Sequence, residues 1–257
     1  MTRLSAGVII PIHKPGPTPV PKGTDLVGRL PLHECFNPKN IRSLQVSRAL
    51  LGEGDYGYVQ RGTMTSTHET SLPVAVKRFK AWVGMDHRKA AVYQTAITRL
   101  LKEGVDIPVG CMLRWDNPAT GITEWVQVSE VFESGGQSNF YGDVKFLDAM
   151  VPPHLPAFVS NFAGIINAGY APTIDCFHWL ETGHGRIAKP LDLDWVIESG
   201  SGLTTYETQA RSLGFTLHTA QSDAEKAGQM DRFVTFIQSL MPLIRSSSIQ
   251  AMVAAFI

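Results

Sequence analysis

Cysteine is scarce in this chain of 257 residues. Cys35, Cys111 and Cys176 are too few and too scattered for a disulfide framework or a C-x-x-C metal knuckle, and a reducing compartment suits such a chain. Net charge is also missing, because 23 basic side chains balance 23 acidic ones. Nucleic-acid backbones and anionic membranes are held by concentrated positive charge, and no Lys/Arg cluster supplies it, so neither is expected as a partner. Long apolar runs are absent too. The closest, Ala157 to Ala171, contains Ser160, Asn161 and Asn167, so no membrane span is expected. The apolar patch Gly7 to Pro11 behind Arg3 is too short for an ordinary secretory signal, which leaves open an export signal of another kind. No G-x-S-x-G or H-E-x-x-H string occurs, and His178, His184 and His218 lack zinc-ligand spacing. Hydrolase and zinc-enzyme chemistry therefore have no support.

Proline is plentiful at one end. Pro11, Pro15, Pro17, Pro19, Pro21 and Pro31 remove backbone donors and fix φ, so residues 1–40 read as an extended arm, either a disordered leader or a strap along the body. From Arg48 the texture becomes short β-like runs: Leu50 to Leu51, Tyr58 to Gly62 and Leu72 to Phe79. His87 to Glu103 places Ala91, Val92, Ala96, Ile97, Leu100 and Leu101 on one helical stripe that ends at Gly104. Gly110 to Asp116 and Thr123 to Phe132 read as two more strands around an Asp116 to Gly121 turn. The pattern predicts an α+β chain whose first half is a five-stranded antiparallel sheet with one inserted helix. Beyond Gly135-Gly136, helices are expected over Tyr141 to Met150, His154 to Ala168, Thr204 to Leu217 and Asp223 to Leu240, with the apolar end Met252 to Ile257 folding back onto them or docking to another chain.

The stretch richest in chemistry is Leu51-Gly52-Glu53-Gly54-Asp55-Tyr56-Gly57-Tyr58-Val59, followed by Val74-Ala75-Val76-Lys77. Glycines spaced G-x-G-x-x-G let a backbone approach polyphosphate without a Cβ in the way. In a dinucleotide-binding fold such a loop opens a helix, but Tyr58 to Gly62 continues as a strand, so the loop joins two strands. With Val59 two places after the last glycine and Lys77 closing the later strand, this half resembles the protein kinase N-terminal lobe. The resemblance covers roughly Arg48 to Val196. It implies a bilobal kinase-like fold with a reduced, mainly helical second lobe, lobes at 41–133 and 134–257, and a cleft near Glu130 to Gly136. It further implies that Gly52, Gly54 and Gly57 cover the phosphates of ATP, that Lys77 binds them, and that Val59 and Ala75 cover the adenine. The backbone of Glu130 to Phe132 would face the adenine edge. Where the family carries a helix glutamate for the lysine, this chain offers Gln94, an amide that cannot form an ion pair.

The second half departs further, with neither H-R-D-x-x-x-x-N nor D-F-G. By order along the chain Asp175 is the candidate for orienting a substrate hydroxyl and accepting its proton. Asp192 and Asp194 lie 17 and 19 positions on, so spacing does not choose between them as Mg²⁺ ligands. Asp194-Trp195 looks like the D-W of aminoglycoside and choline kinase relatives and favours Asp194, with Asp192 a second ligand or a structural acid. Leu180 stands where the family has its metal asparagine, with His178 and Glu181 nearby. The resemblance thus implies a divergent or minimal Ser/Thr protein kinase of the effector type, using ATP and Mg²⁺ on a protein substrate, in the cytoplasm or secreted into a host cytoplasm. A pseudokinase serving as a nucleotide-binding or scaffold module, and a small-molecule kinase, are the alternatives.

Overall fold

The architecture is taken from a computed structural model that describes residues 26–27, 30–131, 133–134, 137–138, 140–143, 145–173, 175–182, 185–200 and 206–257. The chain divides into two compact units, one of Met1–Ile97 with Pro108–Ser138 and one of Thr98–Ile107 with Asn139–Ile257. It is α+β, with a five-stranded antiparallel sheet in the first unit and mainly helices in the second. Most of the proline-rich arm, residues 1–25 and 28–29, lies outside the described residues.

The sheet of the first unit is built from β1 (Ile41–Glu53), β2 (Gly57–Ser66), β3 (Ser71–Phe79), β4 (Gly110–Asp116) and β5 (Thr123–Glu130), with α1 (His87–Lys102) between β3 and β4. Its order is β1-β2-β3-β5-β4, every pair antiparallel. Alternation sorts the side chains. Leu72, Val74 and Val76 of β3 share a face with Met64 of β2 and with Val126 and Val128 of β5, and all six are fully buried. Burying a Val or Leu side chain stabilises by roughly 1.5–3 kcal/mol, so this face fixes the register. A one-residue slip would turn Lys77 into the core. Asp86 caps α1, its carboxylate accepting the Lys89 N–H at 2.9 Å; that bond, above all, holds its pKa below the ordinary value.

Two features ahead of the sheet differ from the sequence reading. β1 begins at Ile41 rather than near Arg48, because Arg42, Ser43, Ser47 and Arg48 face solvent and hide the apolar alternation. Before it, Leu32–Cys35 forms one helical turn in which Leu32 and Cys35 are buried along with the following Phe36. The end of the arm is therefore part of the packed body.

The second unit centres on α2 (Leu155–Asn167), buried over most of its surface from Phe158 to Ile166, as a helix apolar all round must be. Phe158 and Phe162 meet Phe146, Phe177 and Phe236, ring centroids 4.8–6.3 Å apart. Edge-on and tilted pairs dominate, the geometry that the ring quadrupole favours. A three-stranded antiparallel sheet, β6 (Phe140–Asp143), β7 (Phe177–Thr182) and β8 (Gly185–Pro190), adjoins this core. It is followed by α3 (Asp194–Gly200), α4 (Tyr206–Ala227), α5 (Met230–Leu240) and α6 (Ser247–Ala254). α6 packs on α4 through buried Ile249 and Val253, so the apolar end of the chain does fold back.

The helix expected over Tyr141 to Met150 is instead β6 and a single turn, Phe146–Ala149. Strand pairing with β7 decides this segment, because its mixed pattern suits either state. The break expected between Leu217 and Asp223 falls later, at Gly228, whose φ of +65° ends α4. A buried charge ties β8 into this unit. Lys189, 3 % exposed, holds the Asp106 carboxylate at 3.1 Å, and the Asp106 N–H donates to Asn161 of α2 at 2.6 Å.

Candidate functional site

In the first unit the glycine-rich segment turns from β1 into β2, and it is a strand, not a helix, that follows the last glycine. Gly54 N–H donates to Gly57 O at 2.9 Å across the turn. The three glycines serve different ends. A Cβ on Gly57 would lie 2.2 Å from the Arg78 carbonyl oxygen, so β2 and β3 can approach there only without a side chain. A Cβ on Gly52 or Gly54 would meet nothing within 4 Å, and neither sits at a left-handed φ. The fold demands Gly57; it leaves Gly52 and Gly54 free to serve a ligand.

Register sets out the remaining residues of this half. Gly52 stands opposite Val59, Val59 opposite Lys77, and Lys77 opposite Gln127, one row across four strands. Ala75, two residues before Lys77, shares its face. Lys77 is half-buried, with Nζ 5.9 Å from the centroid of the Phe79 ring, and Phe79 meets Tyr93 of α1 edge-on at 5.4 Å. The lysine, Val59 and Ala75 thus lie on the face of the sheet opposite the buried valines.

Gln94, at the expected helix glutamate position, uses its Oε1 to accept the Met112 N–H of β4 at 2.8 Å. Glu130 ends β5 opposite Val74 on the core face, 5 % exposed, and its N–H donates to Val109 O at 2.8 Å. That amide is already engaged. Phe132, Gly135 and Gly136, which with Glu130 were expected to bound a cleft, lie outside the described residues.

Asp175 and Asp192 both act electrostatically on Cys176. Asp175 is exposed in the turn before β7, and the Cys176 carbonyl accepts both the Leu191 and the Asp192 N–H, at 2.9 and 3.3 Å. Burial raises the Cys176 thiol well above its ordinary pKa, and the carboxylates of Asp175 and Asp192 push it further, as two neighbouring negative charges must. Thr173, through its backbone first, acts on that sulfur in the opposite sense. Asp194 is a different kind of acid. It opens α3 at 2 % exposure, with its N–H donated to Asp192 Oδ1 over a long 3.4 Å. His178, on β7 opposite Lys189, stands between the buried Phe177 and Trp179. The side chain of Glu181 and all of His184 lie outside the described residues.

Oxygen ligands are what a hard cation takes, and the carboxylates of Asp192 and Asp194, the expected ligands, are half-buried and 2 % exposed respectively. Among the described residues no three metal-ligating side chains come together. Mg²⁺ fits such a sparse set, since it commonly uses one or two carboxylates and completes its shell with phosphate oxygens and water.

No protein-family model matches the chain, and no curated protein matches its sequence. Among the described residues no helix is long and apolar enough to cross a membrane.

Proposed function

We propose that the chain is an ATP-dependent phosphotransferase with a protein-kinase-like fold, acting on a protein Ser or Thr hydroxyl. One observation carries the reading. A G-x-G-x-x-G turn joins the first two strands of a five-stranded antiparallel sheet, and Val59 and Lys77 stand directly opposite each other on its second and third strands. A glycine loop over the phosphates and a lysine on the third strand are the N-terminal parts with which kinases hold ATP.

In this reading ATP with Mg²⁺ supplies the transferable γ-phosphoryl group. The glycine turn covers the phosphates, and Lys77 places positive charge on them. Val59 and Ala75 give the adenine an apolar surface. Asp192 and Asp194 are the metal ligands expected by order along the chain, and the half-buried Asp192 is the more accessible of the two. Asp175, exposed and ahead of β7, positions the acceptor hydroxyl and takes its proton as the oxygen attacks the γ-phosphorus and the bond to the leaving ADP breaks. Most of the catalytic gain in such transfers comes from positioning and electrostatics, which few residues can supply.

A second reading, a nucleotide-binding pseudokinase, is favoured by Gln94. Its acceptor oxygen is engaged by β4, and an amide gives Lys77 no counter-charge. Transfer of label from γ-labelled ATP to protein acceptors and to a metabolite extract separates the readings. Incorporation by wild type that is lost in both Lys77→Ala and Asp175→Ala supports the enzyme. Nucleotide binding without incorporation into any acceptor supports the pseudokinase, and label in metabolites alone supports a small-molecule kinase.

A further inference from the structure

Tyr56 behaves unlike the residues before it in the glycine turn. Glu53, Gly54 and Asp55 are exposed, as the tip of a two-strand connection should be, whereas Tyr56 is 9 % exposed. Its ring lies against Trp82, centroids 5.0 Å apart at 55°. Trp82 itself is 64 % exposed, so one of its faces covers the tyrosine while much of the ring remains in water.

The base under Trp82 is firm. Ala81–Val83 is a 3₁₀ turn whose Val83 is buried, and Val83 O accepts Lys89 Nζ at 2.6 Å. Further fastenings run beside the ring pair. Lys80 N–H donates to Tyr56 O at 2.9 Å, and Lys80 Nζ lies 3.1 Å from Glu53 Oε1. The second half of the glycine turn is thereby fixed to the segment just after the Lys77 strand, while Gly52 and Gly54 keep open space around them.

We propose that Tyr56 and Trp82 form a latch that holds the glycine turn in its ligand-ready shape and thereby sets how tightly nucleotide is retained. The effect on nucleotide rests on the function proposed above; the latch itself does not. Trp82 is a positioning residue. Without its ring the turn keeps its backbone bonds but loses this fastening, and affinity falls by the share of molecules in which the turn is out of place.

Hydrogen exchange of the nucleotide-free full chain tests the latch directly, followed on peptides spanning residues 52–58 and 80–83 in wild type, Trp82→Ala and Trp82→Phe. Trp82→Ala should exchange roughly 2- to 12-fold faster in both peptides, the span that an aromatic pair contributes. Trp82→Phe, which keeps a ring, should stay near wild type. The MgATP dissociation constant should rise by a similar factor in Trp82→Ala and recover in Trp82→Phe. Unchanged exchange in Trp82→Ala overturns the latch. Faster exchange with unchanged MgATP affinity overturns its role in retaining nucleotide. A wild type that binds no MgATP overturns the proposed function and with it that role, and the exchange comparison still decides the latch.

Discussion

Alanine at each of the three loop glycines separates what the fold requires from what a ligand requires. At Gly57 the new Cβ would lie 2.2 Å from Arg78 O, 3.1 Å from the carbonyl carbon of Arg78 and 3.3 Å from the Cα of Phe79. All three atoms belong to the backbone of β3, which is paired on both sides and cannot yield cheaply. Overpacking costs about 1–3 kcal/mol, and a strained ladder bond adds about 1 kcal/mol, so Gly57→Ala should lose on the order of 3 kcal/mol. At Gly52 and Gly54 the Cβ meets nothing within 4 Å, and the backbone φ suits an L-residue. Restricting the unfolded chain should then leave Gly52→Ala and Gly54→Ala unchanged or more stable by up to about 1 kcal/mol. If these two residues leave room for phosphate, the same variants should bind MgATP at least about tenfold more weakly, a loss of about 1.4 kcal/mol. Urea unfolding measures the first quantity and calorimetric titration the second. Stable Gly52→Ala and Gly54→Ala proteins with wild-type affinity would refute the phosphate reading of the loop. A Gly57→Ala protein as stable as wild type would refute the packing argument.

The buried Lys189 gives a second expectation. Asp106→Ala leaves a 3 % exposed ammonium without this carboxylate and should cost about 3 kcal/mol, the low end for a broken buried pair because Asp106 is itself partly exposed. Adding Lys189→Met should recover much of the loss in urea unfolding. A third concerns alkaline pH. Burial pushes the Cys111 thiol up to about 12, from an ordinary value near 9. Between those values the unfolded chain has released a proton that the folded chain keeps, so stability is full below pH ~9 and falls by about 1.4 kcal/mol per pH unit above it. Cys111→Val should flatten that decline by this one-proton slope; an identical slope in wild type and variant would contradict it.

How far the sequence could be read depended on whether local signals agreed with tertiary packing. β3 and β5 were legible because Val74, Val76, Val126 and Val128 alternate with half-buried neighbours; α1 was legible as a helix stopped before Gly104, but the stripe it buries is Ala90, Tyr93, Ala96, Ile97 and Leu100, with Ala91 exposed. β1 was legible only in part, since a strand with Arg42, Gln45 and Arg48 turned outward does not look apolar. β6 was misread because a four-residue strand owes its state to its partner. In the site, the glycine turn and Lys77 belong to consecutive antiparallel strands with a tight connection, so local spacing suffices to place them. The approach of the Leu191–Asp192 segment to Cys176 rests on backbone bonds, and the engagement of Gln94 rests on an edge strand. Tyr56 and Trp82 lie 26 positions apart, and no periodicity marks them as partners.

Calorimetric titration of the full chain with MgATP, beside Lys77→Met, tests the central claim most directly. Lys77→Met keeps the length and apolar stem of a half-buried side chain and removes only its charge, so it should fold with wild-type stability. Wild type should bind MgATP saturably with one site per chain, and Lys77→Met should bind at least about tenfold more weakly. A wild type that takes up no MgATP, or a Lys77→Met protein that binds it equally well, would contradict the account.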